Sequence, residues 1–131
     1  MRSNSFNNIV KCELLMIIIH CMRKKTWEEI KDNDTYGGIL VKTEGFIHCS
    51  SIQNFWRIAP NFTGIKETLV LLCIDTDKII PEIKWEDGDK CGREYPHIYG
   101  ELNLDSVIGV LPFLRDSKGE FVLNKEFEKY L

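Results

Sequence analysis

The sequence contains no C-x-x-C pair, no apolar run of membrane-spanning length and no excess of basic charge. Each absence removes a class of protein. Five cysteines, Cys12, Cys21, Cys49, Cys73 and Cys91, are an odd number and lack the spacing of a disulfide framework or of a zinc site. Reduced thiols in a cytoplasmic protein are the expectation. The most apolar stretch, IVKCELLMIIIHC, is broken by Lys11 and Glu13. It falls short of the roughly 20 apolar residues that a membrane helix needs, and no small-residue cleavage site follows it. Lys and Arg number 17 against 20 Asp and Glu, a net charge of −3. An extended nucleic-acid footprint needs a basic face, so a nucleic-acid partner is not expected. There is no repeat and no low-complexity segment. Histidine is scarce, with three in 131 residues.

What is present is an ordinary globular composition, 44% hydrophobic and 28% charged. The length suits one domain that buries about two-thirds of its unfolded surface. Residues 1–15 are polar and turn-rich at their start and have no clear period. They are read as an N-terminal extension, either disordered or an extra strand, ahead of a single domain over 16–131.

Along that domain LLMIII (Leu14–Ile19) predicts a buried strand ending at His20. Thr26 and Glu29 have the spacing of a capping box, which predicts a short helix over TWEEIKDN. ILVKTEGFIHC predicts a second strand ending at His48. Ser50 and Gln53 form a second capping box, and Ile52, Phe55, Trp56 and Ala59 then fall at helical spacing until Pro60. TLVLLCID (Thr68–Asp75) is apolar throughout and predicts a central strand. IIPEIKWED and YPHIYGEL predict shorter extended pieces on either side of the polar loop DGDKCGRE. SVIGVLPFL predicts another strand, and a turn at Ser117–Gly119 leads to a last one. About six strands and two or three short helices, mixed along the chain, predict an α+β fold around one twisted, mostly antiparallel sheet.

The three histidines share a placement. His20 and His48 are read at strand ends that run into helices, and His97 lies in an extended piece after a Gly-containing loop. Such ends gather ligand-binding side chains in sheet proteins. A helix N-terminus beside His48 would also offer N–H groups to an anion. Structural histidines bonded to backbone are the plainer alternative. A metal site is not expected, because neighbours such as His20 and Cys21 point to opposite faces of a strand. A two-histidine phosphoesterase needs two H-x-[ST] units, and only HCS qualifies. A Cys–His nucleophile pair finds no telling cysteine.

EGFIHCS at 44–50 and YPHIYGELNLDSVIGV at 95–110 resemble the two signature blocks of the domain of unknown function 952 family. IIHC at 18–21, WEE at 27–29, Gln53, LVLLCID at 69–75 and RDSKGEF at 115–121 extend the likeness to nearly all of 16–121. The resemblance implies an ADP-ribosyltransferase-like fold, in which three motifs along a split sheet cradle NAD. It implies that His20 bonds a ribose hydroxyl and that His48 lies beside the nicotinamide with Ser50 as its hydroxyl partner. Ser51 and Tyr99 join the expected ligand-binding set. The third motif usually supplies a glutamate that steadies a cationic ribosyl centre. Here its position holds His97, with Glu94 and Glu101 nearby. A histidine there can act as acid or base, or hold a phosphate when protonated. The implied function is binding of NAD or a related nucleotide in a cleft lined by His20, His48 and His97, with ribosyl- or phospho-transfer activity. The alternative is a non-catalytic module for a nucleotide or other small anion. The partner expected in either case is a small nucleotide-like ligand, not a membrane.

Overall fold

A run of isoleucines, Ile17–Ile19, opens the first strand. A computed structural model describes residues 16–131. The expected extension over residues 1–15, and with it Leu14 and Leu15, lies outside the described residues. Strand β1 (Ile17–Arg23) pairs over its whole length with β5 (Leu69–Asp75), antiparallel, Ile17 opposite Asp75 and Arg23 opposite Leu69. β9 (Val107–Pro112) pairs with the other side of β5, and β4 (Ser50–Ser51) with the other side of β1. The order in this sheet is β4-β1-β5-β9, which makes β5 an inner strand, as LVLLCID predicts.

A second sheet holds β3 (Ile47–His48), β7 (Tyr95–Tyr99) and β6 (Glu82–Glu86), in the order β3-β7-β6. Two short pairs complete the set: β2 (Thr35–Tyr36) with β8 (Leu102–Asn103), and β10 (Leu114–Arg115) with β11 (Phe121–Val122). Every described pair is antiparallel. Three α-helices join them among the described residues: α1 (Lys24–Ile30), α2 (Gly38–Glu44) and α3 (Phe55–Ile58). The α+β class stands, with the strands divided between separate sheets.

Strand alternation builds two cores. Ile17, Ile19, Leu69, Leu71 and Cys73 face one side, against Ile52, Phe55, Ala59, Phe113 and Phe127. Ile18, Met22, Val70, Leu72 and Ile74 face the other, against Ile47, Cys49, Ile98, Leu102 and Leu104. The second core is therefore the space between the four-stranded and the three-stranded sheet. His20 belongs to the even-numbered set and enters that space.

The structure corrects several local expectations. β1 runs to Arg23, so His20 is in mid-strand, not at a strand end, because β5 offers it partners over all seven residues. α1 begins at Lys24, two residues before Thr26, and its cap residue Arg23 makes no side-chain cap bond. Residues 38–44 form a helix where a strand is expected. Gly37 (φ 98°) and Gly45 (φ 91°) bracket it in left-handed conformations, and the Gly45 amide bonds the carbonyl of Val41. A left-handed glycine closes a helix without the Cβ clash. Ser50 does not cap a helix: it lies in β4 and donates to the carbonyl of Ser51. The hydroxyl that accepts an amide is that of Ser51, from Asn54 at 3.1 Å. Trp56, expected in the core, is exposed, because the helix there is only four residues long.

Candidate functional site

The hairpin β6–β7 sets the site. Its register places Glu86 opposite Tyr95 and Lys84 opposite His97. β3 adds His48 opposite His97 and Ile47 opposite Ile98. Ile47 and Ile98 are fully buried against the other sheet. By alternation Phe46, His48, Tyr95, His97, Tyr99, Lys84 and Glu86 turn to the outer face. That face carries a cleft of about 450 Å³, lined among others by Phe46, His48, Phe62, Glu86, Tyr95 and His97. Small-molecule sites fall in the range of roughly 300–1,000 Å³.

His97 is covered by Phe46, whose ring stacks on it at 4.1 Å. Its Nδ1 donates to Glu86 Oε1 at 2.8 Å, and the Tyr99 hydroxyl donates to the same oxygen at 2.6 Å. A carboxylate accepts and cannot donate when ionised, so His97 carries its proton on Nδ1. Its Nε2 has no protein partner among the described residues. The Tyr99 hydroxyl first, and the His97 N–H next, hold the Glu86 carboxyl below the ordinary glutamate value. Glu86 is thus a fixed anion on the cleft wall. The same bond pushes the Tyr99 phenol up. Lys84 rests its ammonium over the Tyr99 ring at 4.7 Å.

His48 is exposed. Its ring lies edge-on to His97 at 5.3 Å and to Phe46 at 4.7 Å, and its Nε2 is 2.9 Å from Glu44 at the end of α2. His48 and His97, expected together, do share the cleft.

His20 does not line it. It is 8% exposed, in the core between the sheets. Its Nδ1 donates to the backbone carbonyl of His48 at 2.6 Å, which leaves Nε2 to accept from the Tyr36 hydroxyl at 3.3 Å. Burial pulls its pKa down, so it is neutral. His20 therefore supports the strand end that carries His48, from behind.

The other expected residues lie elsewhere. Ser50 is fully buried and Ser51 binds its own turn. Neither lines the cleft, because the helix expected after His48 begins only at Phe55 and Ser50 pairs with β1 instead. Among the described residues no helix N-terminus follows His48 directly, the next helix starting at Phe55. Glu94 is exposed at the foot of β7, and Glu101 accepts from the Thr35 hydroxyl at 2.8 Å. Neither faces the cleft. Tyr99 borders it through Glu86.

Glu86 is the residue that sequence reasoning missed. The signal was available: Glu82, Lys84 and Glu86 alternate on one face of EIKWE, and a hairpin closed over residues 87–94 puts Glu86 diagonally next to His97.

Among the lining residues are the aromatics Phe46, Phe62 and Tyr95 and the carboxylates Glu86 and Asp89, with no Lys or Arg. Such a wall suits a flat ring that is neutral or positively charged. It is poor for a pyrophosphate. No described helix is long and apolar enough to cross a membrane.

A family model described as "Protein of unknown function (DUF952)" matches residues 21–110. Among solved structures the chain is similar to protein CC0527 from Caulobacter crescentus. The crystal structure of that protein is 26% identical, with a TM-score of 0.70, over 82% of this chain and 94% of that one. A double mutant of it gives the same identity and coverage with a TM-score of 0.69. Its solution structure gives 24% identity and a TM-score of 0.67, over 88% and 96%. No curated protein matches the chain.

Proposed function

The chain belongs to the DUF952 family, and from that premise we propose that its cleft binds NAD or a related ribosyl nucleotide through the nicotinamide–ribose end. The observation that carries this reading is the Glu86 carboxylate, kept ionised by Tyr99 and His97 on an aromatic cleft wall. Phe46, Phe62 and Tyr95 would flank the ring. Glu86 would hold negative charge beside the ribose carbon, where positive charge develops when a ribosyl bond breaks. The free Nε2 of His97, with its tautomer fixed through Nδ1, would accept or return a proton at the incoming group. The pyrophosphate and adenosine would lie outside the cleft, since no Lys or Arg among the described residues lines it.

This moves the anion of the third motif from Glu94 or Glu101 to Glu86. It also changes the reading of His97, from a phosphate ligand to the group that orients Glu86. The ADP-ribosyltransferase-like arrangement is part of this proposal; the sheets themselves are two antiparallel ones, of four and three strands.

Thermal shift with NAD, nicotinamide mononucleotide and ADP-ribose tests the reading, since a ligand that binds only the folded state raises the melting temperature. NAD and nicotinamide mononucleotide should both stabilise the protein, and ADP-ribose much less. Equal stabilisation by ADP-ribose would contradict the placement of the ring. A non-catalytic nucleotide-binding module is the second reading, favoured by the position of Glu94 and Glu101 away from the cleft. It predicts the same shifts with no release of nicotinamide.

A further inference from the structure

Residues 115–121, RDSKGEF, fold as a tight hairpin with Arg115 opposite Phe121. Asp116 Oδ1 accepts from the amides of Lys118 and Glu120, at 2.8 and 3.0 Å. Gly119 takes the left-handed turn position, with φ 83°, and its amide bonds the carbonyl of Asp116. The hairpin presents the Arg115 guanidinium to another part of the chain. Nη1 donates to the carbonyls of Thr63 and Gly119, at 2.9 and 3.3 Å, and Nη2 donates to the carbonyl of Ile65 at 2.8 Å.

Thr63 directly follows Asn61 and Phe62, two residues of the cleft wall, and Ile65 comes two residues later. Phe62 rests on the aromatic cluster that the same hairpin supports. Phe113, two residues before Arg115, packs edge-on to Phe62 at 6.3 Å and lies 4.9 Å from the guanidinium. Phe121 packs on Phe113 at 5.0 Å and on Phe55 at 5.1 Å. Residues 62–68 belong to no helix or strand, and the carbonyls of Thr63 and Ile65 take Arg115 as their partner. A planar fork of fixed donors satisfies two such carbonyls at a set spacing, which a lysine cannot do.

We propose that Arg115 is a positioning residue for the nucleotide cleft, holding the Phe62 wall at its distance from the β3–β7 face. Its effect on ligand affinity rests on the function proposed above; its effect on the wall does not. The test uses the full chain and the variant Arg115→Lys, which keeps the charge and loses the fork. In the ligand-free protein, hydrogen exchange at the amides of Phe62, Thr63 and Ile65 should quicken about tenfold or more, while Leu71, Leu72 and Cys73 in β5 stay unchanged. NAD affinity should fall about tenfold or more, as displaced contact groups do. The loss should be less than additive with that of Phe62→Leu, because both act through one ring. Unchanged local exchange would overturn the proposal. So would equally faster exchange in β5, which would make Arg115 a general stabiliser. So would fast local exchange with NAD affinity unaltered. If the wild type itself fails to bind NAD, the proposed function falls, and the exchange measurement alone still decides whether Arg115 holds the wall.

Discussion

Each histidine is held through one nitrogen or both, and the nitrogen left over decides its use. His97 gives Nδ1 to Glu86 and keeps Nε2 for the cleft. His20 spends both, on the His48 carbonyl and the Tyr36 hydroxyl, and is a strut. Its lowered pKa has a consequence for stability. The native state keeps His20 neutral while the unfolded chain binds a proton below the ordinary value of 6.5. Unfolding then takes up protons, so stability is full above that value and is lost as pH falls toward the lowered native one. His20→Gln should flatten this loss, read as the melting temperature between about pH 7.5 and pH 5. A slope as steep as in the wild type would remove His20 as its cause. For Glu86 the sign is that of a lowered carboxyl. Its contribution is present above the ordinary glutamate value and lost as pH falls through the native one. Tyr99→Phe removes the larger cause, so carbon-13 titration of Glu86 should move upward toward the ordinary range. No movement would mean that the hydroxyl does not act on it.

The elements differ in how much of them the sequence displays. β5 is legible because its seven residues are all buried and all apolar but one. β7 is legible from Pro96 and the Tyr–His–Tyr alternation. α2 is not, because GILVKTE carries three adjacent apolar residues that suit a strand as well as a helix. What decides it is the pair of glycines that allow left-handed corners. Nothing lies within 4 Å of a Cβ built on Gly45. Gly45→Ala should therefore cost only the left-handed backbone strain, about 1–2 kcal/mol in denaturant unfolding. A neutral outcome would mean the corner relaxes. The helix expected directly after Ser50 was misplaced: it starts only at Phe55, and residues 52–54 form a turn held by the Ser51 hydroxyl. Ser51→Ala should lose about 0.5–1.5 kcal/mol in denaturant unfolding, the worth of the one turn hydrogen bond from the Asn54 amide, whereas Ser50→Ala removes no cap. The cleft was half legible. His48 and His97 carry local patterns, whereas Glu86 joins them only through a hairpin register that no short motif displays.

In the whole molecule the second core and the His48–His97 wall of the cleft occupy opposite faces of the small sheet. Ile47 and Ile98 pack inward with Leu72 and Ile18, while His48 and His97 turn outward one residue away. Leu72→Ala should cost about 2–5 kcal/mol in denaturant unfolding, as fully buried leucines do. Changes at Glu86 should act on the ligand and leave the core packing as it is, because mutations without shared contacts act independently. Calorimetry of NAD on the wild type and on Glu86→Gln, at about pH 7.5 where the carboxyl is ionised, tests the central claim most directly. The wild type should bind, and the variant, equal in shape but uncharged, should bind about tenfold or more weakly. Equal affinity in the two proteins, or no binding by the wild type, would contradict it.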